Sequence, residues 1–190
     1  GTRSDIGARP YLNTYLGPVW YVTPDGDDVN GTGSSENPFA SVQSAINFAT
    51  TSGDSVTVAQ GTYVENIDFR GRNIKVVGEN AHNTILDGNA TTSVVFFLQD
   101  EPSTSLLSDF TIQNGVDTNY PSGSGLSIKN ANPTLRNLIV RGNAGGAGAI
   151  SVHGPSQSMI QNVLVHENDT QGIFSWFSAP IIMHSTIVNN

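Results

Sequence analysis

The 190-residue sequence contains no cysteine, which excludes disulfides, thiol nucleophiles and thiolate metal ligands. Charge is also scarce, at 13% of residues, and 16 acidic side chains against 8 basic ones leave a formal charge of -8. That balance opposes any general attraction to nucleic acid or anionic lipid, so neither is expected as a partner. No run approaches the roughly 20 apolar residues that a membrane span requires, and no membrane insertion is expected. The opening residues Gly1 to Asp5 lack the apolar centre of a signal peptide. The four histidines, His82, His153, His166 and His184, have neither the spacing nor the thiol partners of a zinc site. Long amphipathic helices are scarce. Stability must therefore come from packing that repeats along the chain, a solution compatible with export.

What the sequence does have is turns and repetition. There are 20 glycines, and Asn, Ser and Thr recur throughout. Leu107–Gly115 (LSDFTIQNG) aligns with Leu135–Asn143 (LRNLIVRGN), Ile160–Asn168 (IQNVLVHEN) and Ile182–Asn190 (IMHSTIVNN), at offsets of 28, 25 and 22 residues. A second motif interleaves with it: Leu126–Lys129 (LSIK), Ile150–His153 (ISVH) and Phe174–Phe177 (FSWF), spaced 24 and 24 residues apart. Strands of four or five residues, apolar at alternate positions and separated by Gly, Asn, Pro and Ser turns, suit a parallel solenoid with at least two strands per coil. On this alternation Leu135, Leu138 and Val140 stack on Ile160, Val163 and Val165 in the core. Leu126 and Ile128 stack on Ile150 and Val152, and on Phe174 and Trp176. At the bends, Asn137 lies over Asn162, and Asn143 over Asn168 and Asn190, with Asp109 and His184 at the ends of the first series. Asn tolerates left-handed backbone and its amide both donates and accepts, so such ladders satisfy turn groups from coil to coil.

Upstream, residues 41 to 50 form the one good helical segment, with Ser41 as N-cap and Val42, Ala45, Ile46 and Ala49 on one face. A short amphipathic helix of this kind covers the open apolar end of a solenoid. Strand-like runs follow at Ser55–Ala59, Gly61–Glu65 and Asn73–Val77. The stretches Trp20–Asp28 (WYVTPDGDD), Asn37–Ile46 (NPFASVQSAI), Gly53–Val58 (GDSVTV) and Gly61–Asn66 (GTYVEN) closely resemble the segment that opens many secreted bacterial β-helix proteins of the pectin-lyase-like superfamily. The resemblance covers nearly all of residues 19–190. It implies an all-β fold, a right-handed single-stranded parallel β-helix with a short N-terminal capping helix, and an extracellular or cell-surface location. It is specific for fold and not for function, because the superfamily includes lyases, hydrolases, epimerases, esterases and adhesins. Residues 1–8 look like the closing phrase of a preceding module, which makes residues 1–18 a tail and linker. The sequence stops inside its repeat, so 19–190 is expected to be a domain truncated at its C-terminal end.

Candidate chemistry is thin. Pectate-lyase-like enzymes use a carboxylate-bound calcium ion and a nearby Arg or Lys as base. Here Asp109 stands alone among Asn137 and Asn162, so the catalytic candidates reduce to Asp109, Arg141 and His166. Gly61–Glu65 echoes a phrase of pectinesterases, but the paired aspartates and arginine of their catalytic motifs do not follow, and Glu65 is read as structural. Two outward stripes, Gln113, Arg141 and His166 on one strand and Lys129, His153 and Phe177 on the other, repeat at a coil spacing of about 4.8 Å, so either could line a groove for an extended glycan. A solvated β face is the plainer reading of the same residues. Asp25, Asp27 and Asp28 collect oxygen ligands and make calcium the one cofactor to consider, although they lack the EF-hand register and an Asp-Gly turn explains them as well.

Two functional readings follow. One is a non-catalytic surface module, structural, adhesive or carbohydrate-contacting. The other is the N-terminal part of a polysaccharide lyase or related polysaccharide-processing enzyme. In either case a polysaccharide is the expected partner, and the uncapped last coil makes end-to-end association a further expectation.

Overall fold

A computed structural model describes residues 14–190. The expected tail of a preceding module lies outside the described residues, as does the linker up to residue 13. Tyr15 already belongs to the folded part: its ring meets that of Trp20 edge-on, with centroids 5.2 Å apart.

The chain winds as a parallel β-helix with three strands to a full coil, and three sheets run along its length. The first sheet is built from Val19–Val22, Ser55–Val58, Lys75–Gly78, Leu106–Ser108, Thr134–Arg136, Met159–Gln161 and Ile181–Met183. The second contains Gly61–Val64, Thr84–Asp87, Thr111–Gln113, Ile139–Arg141, Leu164–His166 and Thr186–Val188. The third contains Ile67–Asp68, Val95–Phe97, Gly123–Lys129, Gly148–His153 and Ile173–Trp176. Every pairing within them is parallel.

The core is a set of stacked columns, with one such column in each of the first two sheets and two in the third. Val76, Leu107, Leu135 and Ile160 stack in the first sheet and Leu86, Ile112, Val140 and Val165 in the second, all fully buried. In the third sheet Val95, Leu126 and Ile150 form one column and Phe97, Ile128 and Val152 another. Burying such side chains contributes about 1.5–3 kcal/mol each, which is what replaces disulfides here.

Two corners use Asn in different ways. Between the first and second sheets each of the last four coils turns on a single left-handed residue: Asp109 (φ 66°), Asn137 (φ 52°), Asn162 (φ 53°) and His184 (φ 49°). In the coil below Asp109 the chain needs glycine, because a Cβ on Gly78 would lie 2.2 Å from the Asp109 carbonyl oxygen. After the second sheet, Asn143 and Asn168 point inward and are buried.

The N-terminal end is closed by helix α1, Val42–Phe48, whose Val42, Ala45 and Ile46 are buried. Ser41 caps it through a bond from the Ser44 amide. The first turn carries no acid of its own. Glu65, from the next coil, accepts the Val42 and Gln43 amides at 2.8 and 2.9 Å and so satisfies two donors that the helix N-terminus leaves without intrahelical partners. Trp20, Phe39 and Phe48 stack beneath, and the Trp20 indole donates to buried Asp54 at 3.2 Å.

The register of the last third-sheet strand differs from the sequence expectation. Ile150 pairs with Ile173, Val152 with Ser175 and His153 with Trp176, a spacing one residue shorter than the 24 read from the sequence. A one-residue slip exchanges the two faces of a strand. Ile173 therefore packs on the core, while Phe174 and Trp176 face outward instead of extending the columns of Leu126 and Ile128. For the same reason Trp176, and not Phe177, stands over Lys129 and His153.

Candidate functional site

The outer face of the third sheet carries two columns of side chains. One reads Asp68, Phe96, Ser127, Ser151 and Phe174 along the coils, and the other Lys129, His153 and Trp176. Both follow from strand alternation, since their neighbours in sequence fill the core.

A strap, residues 117–122, lies across the first column. Its base is Asp117, buried, which accepts bonds from Ser93 Oγ (2.7 Å), the Asn119 amide (2.7 Å) and Asn119 Nδ2 (2.9 Å). Ser151 Oγ donates to the Pro121 carbonyl at 2.5 Å, and the Tyr120 ring meets Phe174 and Trp176 at centroid distances of 5.6 and 6.2 Å. Ser127 and Ser151 are thereby buried although they sit on an outer face. The strap leaves Lys129 and part of Trp176 in the second column accessible. Lys129 is exposed and its ammonium has no carboxylate partner among the described residues. Trp176 is 45% exposed. His153 lies between them with 7% exposure, and its buried Nδ1 has no hydrogen-bond partner among the described residues. Burial, and after it the charge of Lys129, holds this imidazole below the usual histidine range.

Phe177 occupies the corner that follows. The equivalent positions in the two coils below are Asn130 (φ 54°) and Gly154 (φ 77°), residues that accept left-handed backbone, yet Phe177 adopts φ 51° and leaves its ring 78% exposed. Its ring touches that of Trp176 at 5.1 Å.

The second outward stripe is also present, and its charges are largely spent within it. Gln113, Arg141 and His166 stack in register. Arg141 donates to Gln113 Oε1 at 3.1 Å, and Gln113 donates in turn to Asp87 Oδ2 at 3.0 Å. Burial acts to raise the Asp87 pKa, but hydrogen bonds from Gln113, the Asn89 amide and Asn114 outweigh it and hold this carboxylate below its usual range. His166 faces Glu167 at 3.5 Å. Asp109 lies at the opposite end of its coil's second-sheet strand from Gln113, in the turn ladder, where it accepts a bond from Asn137 Nδ2 at 2.9 Å.

The N-terminal acidic group is likewise engaged. Asp27 accepts from the Val29 and Asn30 amides and from Asn30 Nδ2, and these bonds, that of the Asn30 side chain foremost, lower its pKa. Asp28 accepts the Ala40 and Ser41 amides at 2.9 and 3.0 Å. Asp25 is exposed beside them. Among the described residues no three His, Asp or Glu side chains gather at metal distance.

Sequence reading missed Tyr120, Trp176 and Asp87. Tyr120 reaches the third sheet through a long connection with no repeat signal. Trp176 was assigned to the core, and Asp87 lies in a coil whose repeat is too degenerate to align.

No family model matches this chain, and no curated protein does. Solved structures do match. A pectin methylesterase from carrot is 16% identical, with a TM-score of 0.51 over 82% of this chain and 55% of its own. A pectin methylesterase in complex with a hexasaccharide is 13% identical, with a TM-score of 0.55 over 90% and 66%. Pectin methylesterase PemA from Erwinia chrysanthemi is 12% identical, with a TM-score of 0.52 over 87% and 64%. The chain thus spans between 55% and 66% of the lengths of these three proteins. At such identities the likeness concerns architecture, and this chain has the right-handed parallel β-helix fold that these pectin methylesterases share.

Proposed function

We propose that this β-helix is an extracellular or cell-surface module that contacts an extended polysaccharide along the open column of its third sheet. The observation that carries the reading is the stacking of Lys129, His153 and Trp176 on three successive coils. The column combines a cation with no carboxylate partner among the described residues, a largely buried imidazole and an exposed indole. A pyranose offers an apolar C–H face to an aromatic ring and oxygen atoms to donors, so this set suits an extended glycan, and the cation suits one bearing carboxylates. Two of the structural neighbours were solved with hexasaccharides, which supports the same class of ligand. The Arg141 and His166 stripe is the weaker candidate, because Arg141 already bonds to Gln113 and His166 faces Glu167.

A polysaccharide-processing enzyme is the second reading, favoured by the nature of those neighbours and by the share of their length this chain spans. Asp68, whose Oδ1 accepts the Arg70 amide at 2.8 Å, is the one carboxylate in the two outward columns of the third sheet.

The test is a screen of acidic and neutral polysaccharides, with and without calcium, read for binding and for new unsaturated or de-esterified ends, with melting followed in parallel. Binding that Lys129→Met and Trp176→Ala each weaken about tenfold, equivalent to about 1.4 kcal/mol, supports the recognition module. Turnover by this chain overturns it in favour of the enzyme, with Asp109, Arg141 and His166 the first residues to vary. A rise in melting temperature with calcium, lost in Asp27→Asn, identifies a calcium site at Asp25, Asp27 and Asp28. Absence of binding to every polysaccharide leaves a structural or adhesive solenoid.

A further inference from the structure

We infer that the corner beyond the third sheet holds a subsite for an uncharged sugar ring, with the face of Phe177 as its platform. This deepens the proposed polysaccharide contact and rests on it. Three independent observations converge on the site.

The first is backbone strain. Phe177 holds φ 51° where the stacked coils place Asn130 and Gly154. A Cβ on Gly154 would lie 2.0 Å from Asn130 Oδ1, so those two coils have settled this corner with small or amide residues. A bulky aromatic side chain gains nothing from left-handed backbone, and strain held at such a residue points to a functional position.

The second is shape. Phe177 borders a groove of about 640 Å³, within the range of small-ligand sites, together with Asn132, Pro155, Gln157 and Ser178. The groove lining contains no charged side chain. An acidic sugar would find no counter-charge there, whereas a neutral ring brings no charge that needs one.

The third is the polar inventory. The Gln157 amide donates to Asn132 Oδ1 at 2.7 Å, which fixes the Asn132 carboxamide and leaves its Nδ2 without a partner among the described residues. The Gln157 side chain is exposed and likewise makes no hydrogen bond among the described residues. Ser156 Oγ is spent on the Ala131 carbonyl. An aromatic face flanked by one oriented amide donor and one adaptable carboxamide matches a ring with an apolar face and equatorial hydroxyls. The Trp176 and Phe177 rings touch, so the groove adjoins the Lys129 column at its last coil.

The experiment is titration calorimetry of the 190-residue chain with cellohexaose, β-1,4-galactohexaose, β-1,4-mannohexaose and hexagalacturonate. At least one neutral hexasaccharide is expected to bind, with affinity falling tenfold or more in Phe177→Ala and in Asn132→Ala/Gln157→Ala, and less than twofold in Lys129→Met. Phe177→Asn keeps a residue suited to the backbone and is expected to lose binding while melting no lower than the parent, which separates lost recognition from lost folding. Binding of the neutral sugar that survives Phe177→Ala overturns the subsite. Binding of hexagalacturonate alone, sensitive to Lys129→Met, overturns the subsite and leaves the third-sheet reading standing. No binding by any of the four overturns both.

Discussion

The carboxamide nitrogen of Asn137 donates to Asp109 Oδ1 at 2.9 Å, and the carboxamide of Asn162 donates to Asn137 Oδ1 at the same distance. The ladder thus runs one way, each rung donating a hydrogen bond to the coil below, and Asp109 ends it because a carboxylate only accepts. Asp109→Asn keeps both the acceptor oxygen and the tolerance for left-handed backbone, so its urea midpoint is expected to match the parent's. Asp109→Ala, which keeps neither, is expected to cost about 1–2 kcal/mol.

The inward ladder carries more energy. Asn143 is fully buried; its Nδ2 serves Asn168 Oδ1, the Ile112 carbonyl and the Arg141 carbonyl, while its Oδ1 receives the Gly115 amide at 2.9 Å. Asn143→Ala orphans several buried groups and is expected to cost about 2–4 kcal/mol in denaturant unfolding, against under about 1 kcal/mol for exposed Asn162→Ala.

Glu65 joins the cap to the coils. Glu65→Ala removes the acceptor for two helix amides and is expected to cost about 1–2 kcal/mol, with Glu65→Gln, which keeps one acceptor oxygen, in between. Burial raises the Glu65 pKa above its unfolded value despite the opposing amide bonds. Its stabilising proton is therefore fully in place below the unfolded value, and that contribution is lost as pH rises through the folded one. Thermal melts from pH 4 to pH 7 in the parent and in Glu65→Gln isolate this slope.

His153 gives the opposite slope. Its folded pKa lies below the unfolded value, so the stability tied to the neutral imidazole is present above about pH 6.5 and is lost as pH falls through the folded value. His153→Gln is expected to flatten the loss of stability between pH 7 and pH 5, and Lys129→Met to reduce it, as read by unfolding at each pH.

Phe177→Asn releases the left-handed strain and is expected to stabilise the chain by about 1 kcal/mol, measured as a rise in urea midpoint. A fall instead would mean that the ring contact with Trp176 outweighs the backbone strain.

The repeat from Leu107 to Asn190 was legible in sequence because coil-to-coil stacking puts like residues over like. Leu135 on Leu107 and Asn162 on Asn137 need the same size and the same hydrogen-bonding capacity, and alignment detects that directly. The capping helix was legible for a similar reason, since the apolar face of Val42, Ala45 and Ile46 and the Ser41 cap are local patterns.

The candidate site was legible only where it shares that stacking. Lys129 over His153 could be read by spacing; Trp176 over both could not, because the deciding fact is a coil one residue shorter, and composition at Phe174–Phe177 fits either face. Tyr120 arrives from a strap anchored by Asp117 through contacts distant in sequence. Periodicity thus determined the solenoid, its inward columns and its ladders, since these are nearest-neighbour relations repeated along one axis. Which aromatic side chains face outward, which column the strap covers and which corner carries strain depend on single register and loop choices that do not repeat, and only the tertiary structure decides them.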